Sequence, residues 1–422
     1  MNPTLRSVLT VSLMSCAMQA VAAEHGPVVV ASGLDQPRHM DISRRGDLYI
    51  TEAGSGGDLE IIGEFAGALH CTGLSGAVTR LDRHGRQERV IEGLPSAAHC
   101  QDGQQGLGPA GVIARGGSTF VVQMGSTALF DPNTDLDVGA ELYGRAFRVR
   151  DDHDDRDDRD DHDDRDDRDD RDDRDDRDDR DDRDDHDDRD DRDDRDDHSE
   201  RRGRGILRII ADVTAFEAAL DPDGEGYDSN PTDIARYKGG YVATDAGGNA
   251  VHVFDGKGRL RLTAPVPQDP CPGDPGNCFG DANLDSVPTG IARGEGDTFY
   301  VSTLSGVVAD FTVSPPDVGF RPGNAKVFAF DARSGEFTVL ADGLTTLIDV
   351  AYDRREEVVY AAEFITGAVY RIGLESGERA RVDEPGEIVA PGGLAVGRDG
   401  ALYVSTFAAA PGKLGQVVRY DF

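Results

Sequence analysis

The run PGGLAVGRDGALYVSTFAAAPGKLGQVVRYD, residues 391–421, decides the fold. It opens on a Pro-Gly turn, continues in an apolar run, turns at Asp399-Gly400, alternates through Leu402-Tyr403-Val404 and ends in a third alternating run before Asp421. Three short strands joined by turns are most of an antiparallel sheet that cannot bury both of its faces alone. The same unit recurs along the chain. Its second strand reads LYI at 48–50, TFV at 119–121, GYV at 240–242, TFYV at 298–301, VVY at 358–360 and LYV at 402–404. Its third reads GAVTRLD at 76–82, GRAFRV at 144–149, NAVHVFD at 249–255, NAKVFAFD at 324–331, GAVYRI at 367–372 and GQVVRYD at 415–421. Repeats of roughly 40 to 50 residues built from short strands predict an all-β, six-bladed β-propeller.

The last unit runs out after three strands. PVVVASGL at 27–34 has the apolar run followed by Gly-Leu that ends other units near 89–94 and 338–344, so it is expected to pair with 415–421 and close the ring. Closure removes an open sheet edge. The expected organisation is a leader at 1–23 and a propeller over 24–422. In the leader Arg6 carries the charge, Ser7 to Met18 the apolar core, and Ala20-Val21-Ala22 or Val21-Ala22-Ala23 the small-residue cleavage site. Cys16, preceded by Leu13-Met14-Ser15, is a rival lipid-anchor site that Met14 fits poorly. No later run approaches the roughly 20 apolar residues of a membrane span. The protein is therefore expected to be exported, to periplasm or medium. The four cysteines outside the leader fit an oxidising compartment, with Cys71–Cys100 and Cys271–Cys278 the expected bridges. A zinc site from His70-Cys71 and His99-Cys100 is the competing reading.

Residues 151–198 are sixteen copies of Asp-Asp-X, with His at 153, 162, 186 and 198 and Arg at the other twelve positions. The 32 aspartates outweigh 12 arginines, so this tract holds −20 of the chain's formal −36. With no apolar residue to bury and like charges at every spacing, it is expected to be disordered. It interrupts the second unit between its third and fourth strands, on the face of the disc expected to lie away from a ligand pocket. An exposed hairpin loop tolerates such expansion at little entropic cost; the functional alternative is loose capture of divalent cations or of a basic partner. So acidic a chain repels phosphate, which disfavours nucleic acid as a partner.

The phrases GLDQPRHMDISRRGDLYITEAGSGG (33–57), DSNPTDIARYKGGYVATDAGGNAV (228–251), LIDVAYDRREEVVYAAEFITGAVYRI (347–372) and the closing unit resemble the ScyD/ScyE family of exported bacterial proteins, which is named for scytonemin pigment clusters. The resemblance spans nearly the whole chain between the leader and the last residue, outside the acidic tract. It implies a six-bladed propeller of the NHL or TolB-like kind and a link to secondary-metabolite pathways, and it transfers no catalytic residue. His39 departs from it, standing where a glycine is usual.

Two groups of polar residues are expected near the central channel. His39, Asn230, Asp233 and Asp349 stand at the starts of inner strands; Glu52, Asp245 and Glu363 follow second strands. Carboxylates and an imidazole at repeated positions of a ring suit a divalent cation, calcium by its preference for oxygen donors. Their structural reading is turn chemistry, since Asp and Glu after strands accept backbone N–H bonds. Asp221-Pro-Asp223-Gly-Glu225 is both a DG turn and a second oxygen-rich loop, whereas Asp281-Ala-Asn-Leu-Asp285 lacks the glycine and glutamate of a calcium-binding hand. Thr214-x-x-Glu217 reads as the capping box of a short helix. No GxSxG, HExxH or phosphate-loop motif occurs. The leading reading is a non-enzymatic module binding a protein or small molecule on the long-loop face. The alternative is a metal-dependent lactonase or esterase of the gluconolactonase-like propeller type, an analogy of fold alone.

Overall fold

The computed structural model describes residues 25–65, 68–116, 119–125, 142–150, 206–273, 275–278, 282–310, 317–410 and 412–422. The expected leader and the Asp-rich repeat lie outside them. The chain is an all-β propeller. From the axis outward, one four-stranded sheet is Pro109–Gly116, Thr119–Met124, Arg145–Arg150 and Ile206–Asp212, and the next is Pro231–Tyr237, Gly240–Asp245, Ala250–Asp255 and Leu260–Pro265. A third is Ser286–Arg293, Thr298–Ser305, Ala325–Asp331 and Phe337–Leu344, and a fourth is Leu347–Asp353, Val358–Glu363, Val369–Gly373 and Arg379–Arg381. The fifth consists of Gly393–Val396, Leu402–Thr406 and Gly415–Asp421, completed by His25–Leu34 from the other end of the chain.

The expectation of six like blades needs correction. Five sheets are four-stranded blades; the first in the chain is a five-stranded sheet. Its inner strands are Pro37–Ile42 and Leu48–Glu52, and its third, Ala68–Leu81, is long enough to pair with both Glu60–Phe65 and Gln87–His99. That extra length carries a bridge. Cys71–Cys100 and Cys271–Cys278 are both disulfides. The disulfide removes both sulfurs from the competing zinc set, and His70 pairs opposite His99, with ring centroids 4.8 Å apart.

Apolar side chains fill the seams between sheets. Tyr49, Val78, Val122 and Phe147 pack between the first and second sheets in the chain, Val253, Phe299 and Phe328 between the next pair, and Tyr360, Leu402 and Tyr420 where the closing sheet meets its predecessor. Each fully buried large side chain contributes on the order of 1.5–3 kcal/mol. Ala31, Leu34, Ile50 and Val417 fill the seam where the two chain ends join the first sheet.

Candidate functional site

Aligning the six inner strands on their starts puts His39, Gly111, Asp233, Gly290, Asp349 and Gly393 at one level. Side chains and glycines alternate around the axis, and the glycines make room. A Cβ on Gly290 would lie 2.2 Å from Asp349 Oδ1 and 2.7 Å from its Cα; one on Gly111 would lie 2.9 Å from Asp233 Cα; one on Gly393 would lie 2.7 Å from His39 Cα. Three strands therefore approach closely enough for three side chains to meet. His39, Asp233 and Asp349 are all buried, and their ligating atoms lie within 4.8 Å of one another.

Each aspartate also ties two sheets together. Asp349 Oδ1 accepts Val350 N–H at 2.8 Å, and Oδ2 accepts Leu394 N–H of the next sheet at 2.7 Å. Asp233 repeats the pattern with Ile234 N–H at 2.8 Å and Ile291 N–H at 3.0 Å. His39 Nδ1 stands 3.1 Å from Asp349 Oδ2 and 3.6 Å from Asp233 Oδ2, without a hydrogen bond of good angle to either. Burial alone would lower the imidazole's pKa, but the two carboxylates raise it to about 9. Burial pushes Asp233 up to about 7; Asp349's charge adds to this, and His39 together with the N–H groups of Ile291 and Ile234 opposes it. His39 and Asp233 accordingly hold their protons tightly.

A cavity of about 340 Å³ adjoins the cluster, walled by all six inner strands. It reaches from the level of Asp233 and Asp349 toward the C-terminal ends of those strands, past Asp41, Arg236 and Arg293. Asp41 is a third clamp, two residues along from His39: Oδ1 accepts Ile42 N–H at 2.8 Å and Oδ2 accepts Ala114 N–H at 2.9 Å. Burial raises its carboxyl to about 6. In an antiparallel sheet the turns after first and third strands leave by the same edge, so the cavity runs toward the edge where Arg150 and Ile206 flank the acidic insertion. The insertion itself lies outside the described residues.

The other predicted residues do not join the cluster. Glu52 accepts Asp35 N–H and Thr79 Oγ1–H, each at 2.6 Å, and both Arg89 Nε and Nη2. Asp245 accepts Asn230 N–H at 2.6 Å and Ser229 Oγ–H at 2.5 Å, and Glu363 accepts Thr345 N–H and Thr366 Oγ1–H. All three fasten the segment that leads into an inner strand, one strand farther from the axis. Asn230 is held there by Asp245 rather than placed in the cluster. Sequence reasoning missed the clamp at Asp41 and the glycine alternation, although aligning the inner-strand starts displays both.

The fold defines the class of the molecule, a β-propeller. No family model and no curated protein matches the chain. Among solved structures it is similar to the PQQ-bound form of an aldose sugar dehydrogenase from Streptomyces coelicolor, 13% identical over 96% of this chain and 97% of that one, with a TM-score of 0.45. It is likewise similar to a streptogramin B lyase (11% identity, 93% of this chain and 96% of that one, TM-score 0.43) and a luciferin-regenerating enzyme (9%, 94% and 96%, 0.43).

Proposed function

We propose that the protein is an exported, ScyD/ScyE-like propeller acting as a binding module, with a divalent cation held on the axis by His39, Asp233 and Asp349 at the end of the axial cavity. The five-stranded sheet then serves as the sixth blade. One observation carries the reading: donor atoms from three alternate inner strands lie within 4.8 Å of one another beside a cavity of about 340 Å³. One imidazole nitrogen with two carboxylate oxygens suits a zinc-like ion, because calcium prefers six to eight oxygens. Glu52, Asp245 and Glu363 are occupied elsewhere, so the ligand set is three residues rather than six. Metal must displace the proton of His39, which makes affinity rise with pH. The two disulfides are compatible with export.

Calorimetric titration with zinc and with calcium tests the site. Wild type should bind one zinc, and Asp233→Asn with Asp349→Asn should abolish it; equal uptake by both proteins rules the axial site out. A second reading, metal-assisted ester or lactone hydrolysis, is favoured by the cavity that adjoins the cluster. It requires chelator-sensitive turnover of chromogenic esters or lactones, and a binding module shows none.

A further inference from the structure

The inner strands build the axial cavity in steps, and the steps define what it can hold. One residue beyond the level of His39, Asp233 and Asp349 the wall is wholly apolar, made of Met40, Val112, Ile234, Ile291, Val350 and Leu394, all of them buried. One residue further it turns small: Ala235, Ala292, Ala351 and Ala395 stand beside Ile113 and Asp41. Four short side chains at one level keep the centre of the ring open, where larger ones would close-pack it as they do the seams between sheets. At the next level Arg236, Arg293 and Tyr352 come from three successive sheets, and burial gives way. Arg236 and Tyr352 are half-buried and Arg293 is exposed. The cavity thus opens beside two arginines, with an apolar waist behind them.

That mouth carries two positive charges in a chain whose formal net is −36. Of the carboxylates on the wall, Asp233 and Asp349 stand at the inner end, and Asp41 is already fastened to the N–H groups of Ile42 and Ala114. The Arg236 charge helps to keep Asp41 ionised against its burial. In the turn after Arg293, Glu295 pairs with Arg354 at 2.9 Å and Asp297 with Lys238 at 2.8 Å, so both acidic groups have other cations as partners. Two guanidiniums against one clamped carboxylate suit a ligand with a single negative charge. A guanidinium fork matches a carboxylate through two parallel N–H···O bonds, and an apolar pocket with a few such groups at one end is the ordinary form of a small-molecule site. A volume of about 340 Å³ admits a compact molecule.

We propose that the axial cavity binds a small organic acid, its carboxylate held by Arg236 and Arg293 at the mouth and its apolar body lodged among the alanines and the ring beyond them. The inference rests on the reading of the propeller as a binding module, though not on its axial cation.

Saturation-transfer NMR titration of the full chain in chelator tests the site, with hexanoate as the probe and butanoate and hexanol as controls. Wild type should bind hexanoate saturably. Butanoate, two CH2 groups shorter, should bind about tenfold more weakly, and hexanol, which lacks the charge, should lose about as much. Arg236→Gln and Arg293→Gln should each weaken hexanoate about tenfold, and Arg293→Lys should weaken it less. Arg293 is exposed, so its replacement leaves the fold intact. Ala292→Leu, which fills the alanine level, should abolish hexanoate binding. No saturable binding by wild type, equal affinity for hexanol, or binding undiminished in both glutamine variants overturns the proposal. Zinc titration of the same protein keeps the two sites apart. Zinc uptake without hexanoate binding removes the acid site alone, and hexanoate binding without zinc uptake removes the axial cation alone.

Discussion

Replacing Asp349 by alanine should cost far more than replacing Asp41, although the two carboxylates make the same pair of bonds. Each accepts the N–H of its own successor and one N–H of the following sheet, at 2.8 and 2.7 Å for Asp349 and at 2.8 and 2.9 Å for Asp41. Asp349, Val350 and Leu394 line the axial cavity as well, but Asp349 is only 2% exposed, so its removal leaves the Val350 and Leu394 N–H groups with little water within reach. Two buried unsatisfied donors cost about 1–3 kcal/mol each, giving about 2–6 kcal/mol, and His39 loses its nearer counter-charge as well. Asp41 is half-buried on the same cavity, where water more readily replaces the lost acceptor, so about 1–2 kcal/mol is expected there. Urea unfolding of both variants in chelator, extrapolated linearly, measures the difference. Equal losses, or a loss below about 0.5 kcal/mol for Asp349→Ala, would refute the clamp reasoning.

Other consequences can be measured separately. In metal-free protein Asp233 holds its proton up to about 7 against an ordinary value of 3.8, and His39 up to about 9 against 6.5. In both windows the folded state binds more protons than the unfolded one, so stability from these groups is full at low pH and is lost as pH rises through about 7 and then about 9. Urea midpoints across that range should fall less steeply for His39→Gln with Asp233→Asn than for wild type. Gly290→Ala should destabilise by about 1–3 kcal/mol or more, because the methyl meets the Asp349 backbone as well as its carboxyl; a midpoint equal to wild type contradicts that contact. Cys71→Ser with Cys100→Ser opens a loop of sequence separation 29, worth about 3–4 kcal/mol by chain entropy, whereas opening the Cys271–Cys278 loop of separation 7 costs about 2–3 kcal/mol. The comparison is read from urea midpoints of the two double variants.

The ring was legible because an exposed turn and a period-two apolar pattern recur in each sheet, and Val417, Leu34 and Ile50 sit in the seams that this pattern requires. The five-stranded sheet was not. Only 76–82 of its long third strand carries the recurring pattern, and the Ala68–Gly73 half is held by pairing partners on both sides that no local signal announces. At the site, His39, Asp233 and Asp349 were readable because inner-strand starts share one level of the ring. Glu52, Asp245 and Glu363 were misplaced for a radial reason: a second strand stands nearly 5 Å farther out, and carboxylates there face the backbone of the approaching loop. The capping box read from Thr214-x-x-Glu217 was misplaced: the helix Val213–Leu220 is capped by Asp212, whose side chain accepts Ala215 N–H at 3.1 Å, and caps at Asp212 and Thr214 differ by two residues that sequence alone does not separate.

The pairing of His25–Leu34 with Gly415–Asp421 also sets a timetable for biosynthesis. This early segment has a permanent neighbour made far later, so until then its hydrogen-bonding edge has no proper mate, and Val28 and Val29 keep about half their surface in water even afterwards. No nascent chain short of Gly415 can complete the circle. Ring closure therefore waits until Gly415–Asp421 has been made, and any factor that shields the early strand during synthesis would act on residues 25–34.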